Sequence, residues 1–266
     1  MSVQFTVLGS GSSGNCAYLE TNETRILIDA GLSGRQIRQR LASIGRTPET
    51  LSGILLTHEH SDHTQGLAVI AAKLRVPLFC NRQTQEALEI DRQTPLDCRL
   101  FQTGATFEMG DIVVETFTVP HDAQDPVGFL LRTPAGNLGL VTDLGYVTKL
   151  VIERMRHTHA LLLETNHDVK LLQDDTRRPW SLKQRILSRH GHLSNDAAAD
   201  AIEQMATAGL RHLYLGHLSR DCNRPEIARR VLSERLERIG AGHVQVQVSA
   251  PDVPSPTLIL AADKPS

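Results

Sequence analysis

Apolar residues fall into short β-forming runs early in the chain and into alternating strand and helix patterns later. Val3 to Leu8 reads as a strand and Gly9 to Asn15 as a flexible loop. Ala17–Glu20 and Arg25–Asp29 read as a hairpin turning at Thr21-Asn22-Glu23. From about Ser33, residues Ile37, Leu41 and Ile44 recur at spacings of four and three, which puts them on one helix face. Ser52–Thr57 is a short buried strand, Gly66–Leu74 a helix and Val76–Cys80 a strand. Segments 105–119, 127–133 and 137–142 are expected as successive strands, split at Asp122–Pro126 and Pro134-Ala135-Gly136.

Further along, helices are expected at Val147–Arg156, at Ser194–Ala208 (Ser194 or Asn195 as N-cap) and at Pro225–Ile239. Strands are expected at Ala160–Glu164, Leu213–Leu215 and His243–Val248. A proline-containing tail, about 250–266, ends in a last apolar segment, Leu258–Leu260. No composition break and no fixed-period repeat divides the chain, so one domain over 1–266 is expected. Local strand pairing followed by strand–helix alternation predicts an α/β fold with sheets covered by helices on their outer faces.

The 266 residues are 40% apolar and 22% charged, which excludes a disordered, collagen-like or disulfide-dense chain. The net charge of −2 excludes a uniformly basic nucleic-acid binder, so any phosphate contact must be local. Cys16, Cys80, Cys98 and Cys222 form no CxxC pair, and the start carries neither a charged n-region nor a long apolar run. No apolar run approaches the ~20 residues that span a bilayer, so a cytoplasmic protein with no membrane partner is expected. The anomaly is twelve histidines, the commonest metal ligands.

Gly9-Ser10-Gly11-Ser12-Ser13-Gly14 matches GxGxxG after a strand, but Asn15–Glu20 turns straight back into a strand. No helix follows to hold a pyrophosphate and no P-loop lysine is present, so a strand-connecting loop is favoured over a nucleotide site. The stronger signal is His58-Glu59-His60-Ser61-Asp62-His63 after the apolar strand. In an extended stretch His58 and His60 point the same way and suit one ion. With a helix from Ser61, Asp62 and His63 turn away and suit a second. Partners must come from other strand ends: His121 in TVPHD, Asp143 in VTDLG and His217 in YLGHL. Imidazole with carboxylate suits zinc, manganese or iron(II).

HxHxDH followed by separated His, Asp and His resembles the metallo-β-lactamase superfamily. LGSGSSGNC at the start, LETNHD at 163–168, GHLSN at 191–195 and LGHLSRDCN at 215–223 resemble its YycJ/WalJ (VicX) subgroup. The resemblance implies a four-layer αββα sandwich with a metal cleft at one edge. It puts His58, His60 and His121 on one ion, Asp62, His63 and His217 on a second, and Asp143 between them. Asp29 becomes an orienting residue, with a strand-end turn residue as the competing account. Glu59 is read as solvated.

Two divalent ions about 3.5–4 Å apart generate a bridging hydroxide at neutral pH and stabilise attacking and leaving oxygens. Such a site hydrolyses esters, thioesters, amides or phosphodiesters. A histidine at 60, where the superfamily's flavodiiron enzymes carry glutamate, disfavours redox chemistry. Asp62 and His192 are the candidate catalytic residues, His192 as general acid or phosphate ligand before a helix N-terminus; a helix-capping segment is the competing account. Ser12, Ser13, Asn15, Asn166 and His167 are candidates for orienting ligands or donating to substrate. Arginines cluster at 35–40, at 177–189 around Trp180 and at 220–230, most simply as solvated faces. The middle cluster and Arg220/Arg224 adjoin site segments and could track a phosphate backbone. The expected activity is that of a DNA exonuclease attacking phosphorus with the bridging hydroxide. A cyclic phosphodiesterase or glyoxalase II-like thioesterase is the alternative, and a non-catalytic binding protein the second.

Overall fold

The computed structural model describes residues 2–88 and 95–261; residues 262–266 of the expected tail lie outside them. The first sheet contains β1 (Ser2–Gly9), β2 (Cys16–Glu20), β3 (Arg25–Ile28), β4 (Gly53–Leu55), β5 (Leu78–Asn81) and β6 (Cys98–Phe101). The second contains β7 (Thr106–Met109), β8 (Ile112–Thr118), β9 (Val127–Thr133), β10 (Gly136–Val141), β11 (Ala160–Glu164), β12 (His212–Gly216) and β13 (Gln245–Val248). The tail returns β14 (Leu258–Ala261) to the first sheet, antiparallel to β1.

Apart from β14, the strands of both sheets lie in chain order, and pairing switches from antiparallel to parallel after β3 in the first sheet and after β10 in the second. β1–β2–β3 and β8–β9–β10 run antiparallel, whereas β3–β4–β5–β6 and β10–β11–β12–β13 are parallel. Parallel neighbours require crossovers, and these carry most of the helices. The helices are α1 (Gly34–Ser43), α2 (Ser61–Thr64), α3 (Arg82–Ala87), α4 (Lys149–Met155), α5 (Val169–Asp174), α6 (Trp180–Ile186), α7 (Asn195–Met205) and α8 (Pro225–Arg238). The result is the expected αββα sandwich.

Its apolar runs are continuous because both faces of each sheet are covered. In β3, Ile26 and Ile28 point between the sheets while Leu27 joins the cluster under α1. In β11, Leu162 points between the sheets while Leu161 and Leu163 pack with Ile202 of α7 and Leu232 of α8. Each such side chain contributes roughly 1.5–3 kcal/mol by leaving water.

The expected strand 105–119 is a hairpin, broken where Gly110 takes φ 57° beside Asp111. The expected helix 66–74 is a wide π-helical stretch, Ala68–Lys73. β6 escapes the sequence pattern because it is an edge strand with Arg99 and Leu100 exposed. α6 escapes because most of its residues face solvent.

Candidate metal centre

The site lies where the two sheets present the ends of their central strands. Asp29 follows β3, Asp143 follows β10 by one residue and His217 follows β12. All three have left-handed backbones, φ 59°, 58° and 55°. Such a conformation is uncommon for non-glycine residues and costs of order 1–3 kcal/mol, so a cluster of three marks a site held by its surroundings. β4 leads into the His58–His63 segment, where α2 begins at Ser61 and His60 is its N-cap. The segment is clamped to the glycine loop: Asn15 N–H donates to Asp62 O at 2.8 Å, and a Cβ on Gly31 would lie 1.6 Å from the same oxygen.

Four buried imidazoles are tethered through Nδ1. His63 donates to Asp29 Oδ2 at 2.8 Å. Thr57 spends its hydroxyl proton on Asp29, so His58 Nδ1–H donates to Thr57 Oγ1 at 3.0 Å. His121 donates to Gly191 O at 3.2 Å and His217 to Glu164 Oε1 at 2.8 Å. Each tether turns Nε2 toward the centre, the arrangement by which proteins orient imidazoles toward a metal; there His63 Nε2 lies 3.1 Å from Asn15 Nδ2 and His217 Nε2 3.3 Å from Asp62 Oδ2. Asp29 therefore orients two histidines, one directly and one through Thr57.

The candidate ligand atoms gather into two adjacent sets. His58, His60 and His121 form one, and Asp62, His63 and His217 the other, with donor atoms within 4.8 Å of one another in each. Asp143 reaches both sides: Oδ2 lies 3.1 Å from His63 Nε2 and Oδ1 lies 3.8 Å from His121 Nε2. His58 Nε2, His121 Nε2 and Asp143 Oδ2 are buried without a hydrogen-bond partner. An unsatisfied buried polar atom costs about 1–3 kcal/mol, and convergent lone pairs of nitrogen and carboxylate oxygen fit a divalent cation.

The protonation pattern agrees. Burial, aided by repulsion from His63, holds His58 well below the ordinary histidine value, and burial lowers His121. Burial also opposes charge on His63, but Asp29 and Asp143 outweigh it and raise its pKa well above normal. His217 is raised likewise, by Asp143, Asp62 and Glu164. His58 and His121 are thus neutral ligands, whereas His63 and His217 hold protons that a cation would displace.

Glu164, at the end of β11, is the residue sequence reasoning missed. Its Oε1 accepts from His192 and His217 Nδ1, both at 2.8 Å, and its Oε2 accepts from Leu144 and Leu193 N–H, both at 3.0 Å. The available signal was a glutamate closing the apolar run Ala160–Leu163. His192 sits between the two sets' outer members, 5.1 Å from both the His121 and the His217 ring centroids. Burial opposes its charge, yet Glu164 raises its pKa.

A cavity of about 270 Å³ opens over these residues, with Ser12, Asn166 and His192 on its wall. Asn166 Nδ2 donates to His217 O, and Asn15 Nδ2 lies 3.4 Å from Asp62 Oδ2. His167 does not reach the cavity. Its backbone bridges Ser194, and its buried ring has no hydrogen-bond partner. Glu59 is not simply solvated either, since it accepts from Gln124 N–H at 2.9 Å. Several arginines of the expected clusters are committed elsewhere: buried Arg40 donates to Leu8 O, Arg177 and Arg178 pair with Asp175 and Asp221, and Arg189 stacks on Tyr146.

Residues 24–218 match the family described as Beta-lactamase superfamily domain. The chain is 41% identical over 244 residues to exodeoxyribonuclease YycJ of Bacillus anthracis, covering 91% of this chain and 92% of that one. It belongs to the YycJ/WalJ family of the metallo-β-lactamase superfamily. A second YycJ/WalJ relative, exodeoxyribonuclease WalJ of Streptococcus pneumoniae, is 39% identical over 260 residues, 95% of this chain and 96% of that one. The superfamily fold recurs in the crystal structure of YhfI from Bacillus subtilis, with a TM-score of 0.73 at 15% identity over 96% of this chain and 98% of that one. Among the described residues, no helix is long and apolar enough to cross a membrane.

Proposed function

We propose that this YycJ/WalJ-family chain is a DNA exonuclease, a phosphodiesterase that uses two divalent ions, zinc or manganese with iron(II) also compatible. The observation that carries the metal chemistry is the pair of donor sets with Asp143 between them. The substrate class rests on the full-length relatives named exodeoxyribonucleases. His58, His60 and His121 would hold one ion, Asp62, His63 and His217 the other, and Asp143 both. When bound, such a pair supplies a nucleophile at neutral pH and positive charge at the reacting phosphate.

The chain's own residues do the rest. Asp29, Thr57, Gly191 O and Glu164 fix the imidazole tautomers so that Nε2 faces the centre. His192 carries the proton for the departing alkoxide: Glu164 binds its Nδ1–H, raises its pKa and leaves Nε2–H as the proton to give. Ser12 and Asn166 line the cavity where a phosphate oxygen would sit.

The test is a substrate panel on protein loaded with manganese or zinc: 5′-labelled duplex DNA, a cyclic nucleotide and a thioester. Progressive shortening of the DNA is expected. Turnover of the thioester alone would overturn the proposal, and no turnover of any substrate would favour a binding protein.

A further inference from the structure

A second cavity, about 660 Å³, adjoins the metal cavity, and Ser12, Arg178 and Ser219 line both. Four segments that are distant in sequence build it: the glycine loop, Arg178 between α5 and α6, the β12–α8 connection with the start of α8, and Val248–Pro251 at the end of β13. Its floor is apolar, formed by Leu218, Val248, Ala250 and Pro251. Its wall carries Arg220, Arg224 and Arg229, all exposed. Among the described residues no carboxylate pairs with Arg220 or Arg229. Asp221, the acidic residue on this wall, is neutralised by Arg177 at 3.1 Å and Arg178 at 3.0 Å.

Two further features point inward. The 14-residue helix α8 starts at this wall with Pro225 in its first turn and no side-chain cap, leaving a partial positive charge there; Glu226, in the same turn, does not line the cavity. Ser249, 4% exposed, also lines the cavity, and its buried Oγ has no hydrogen-bond partner.

Size separates the two cavities. Sites for small organic ligands occupy about 300–1,000 Å³. The metal cavity, at about 270 Å³, suits a phosphate, whereas the neighbouring 660 Å³ suits a nucleotide. We infer that this groove holds the nucleotide of a single DNA strand adjoining the scissile linkage, with its base against Leu218, Val248 and Pro251 and its phosphates at Arg220, Arg224 and Arg229. The inference deepens the nuclease proposal and rests on it. It explains how a chain of net charge −2 engages DNA: Arg220 and Arg229, which have no carboxylate partner among the described residues, lie beside the reacting centre, with Arg224, held by Asp221 O and Asn223 O, between them in the chain.

The experiment measures fluorescence anisotropy of a 5′-fluorescein-labelled, phosphorothioate-linked single-stranded DNA oligonucleotide, which resists cleavage, with manganese-loaded protein across a salt series. It compares wild type, Arg220→Ala/Arg229→Ala and Arg230→Ala. Arg230 is the control, because it lies on the same helix but outside the groove and pairs with Glu234. The double variant is expected to bind about tenfold more weakly, with a log–log salt slope shallower by about 1.4, roughly 0.7 per lost phosphate contact. Arg230→Ala should bind as wild type. If the double variant matches wild type, or Arg230→Ala loses as much, the groove is overturned. The nuclease reading then still stands wherever loaded wild type cleaves DNA. If wild type neither binds nor cleaves DNA while hydrolysing another substrate, the nuclease reading falls and the groove with it.

Discussion

Replacing Glu164 with glutamine keeps the side-chain volume and removes one charge from a fully buried position. Burial pushes this carboxyl up, but His192 and His217 outweigh it and hold it down from 4.5 to about 2. That lowering corresponds to about 3 kcal/mol of stability at neutral pH. Because the folded-state pKa is depressed, the contribution is complete above about pH 4.5 and is lost as the pH falls toward 2. Glutamine has one oxygen for four donors. With its oxygen toward Leu144 and Leu193 N–H, its NH₂ faces the Nδ1–H groups of His192 and His217. The imidazoles must then go unpaired or move their hydrogen to Nε2, and on His217 that blocks the ligating nitrogen. Loss of an orienting partner of this kind costs about 10–100-fold in metal affinity, or 1.4–2.7 kcal/mol. Competition with a chromogenic chelator measures the affinity, and thermal melts of the metal-free proteins at neutral and acid pH measure the stability. Wild-type affinity together with an unchanged acid response in Glu164→Gln would refute the orienting role.

Three other substitutions probe separate links. Gly31→Ala puts a methyl group into Asp62 O and should displace the Asp62–His63 segment, lowering metal content after dialysis; full occupancy would contradict the clamp. Trp180 is 62% exposed, so Trp180→Ala should leave the melting temperature near wild type. If Trp180 stacks a base, the same change weakens single-strand DNA binding by about 1–3 kcal/mol, and unchanged binding would exclude that contact. Burial raises the Glu20 carboxyl, but hydrogen bonds from Arg46, Tyr18 and Arg25 outweigh it and lower its pKa below 4.5. Glu20→Gln should therefore cost about 1 kcal/mol at pH 7, with the difference shrinking as the pH falls below 4.5; a pH-independent difference would show that the charge is irrelevant.

Much of the site was legible because its densest part is local. Four donor residues lie within six positions after an apolar strand, and the remaining candidates each close a strand, where a rigid element aims a side chain. The alternation of strands and helices likewise gave the layered architecture. Glu164 was hidden because a carboxylate ending Ala160–Leu163 looks like a strand meeting solvent. Only the parallel pairing of β11 with β10 and β12 buries it between His192 and His217. Thr57 was invisible for the same reason, since its role depends on Asp29 lying across the sheet. The arginines misled in the opposite direction. Sequence could not separate Arg178, Arg185 and Arg40, which are committed to carboxylates or carbonyls, from Arg220 and Arg229, which are not. His167 follows Asn166 directly, but the bridge to Ser194 sends its ring into the interior.

The central claim is that two adjacent donor sets, joined by Asp143, make this chain a metal-dependent nuclease. The direct measurement is a titration of metal-free protein with manganese, reading bound metal and release of nucleotides from labelled DNA on the same samples. Cleavage should rise with the second equivalent, and Asp143→Ala should show neither the second ion nor cleavage. Full cleavage without added metal, or none with two ions bound, would contradict the account.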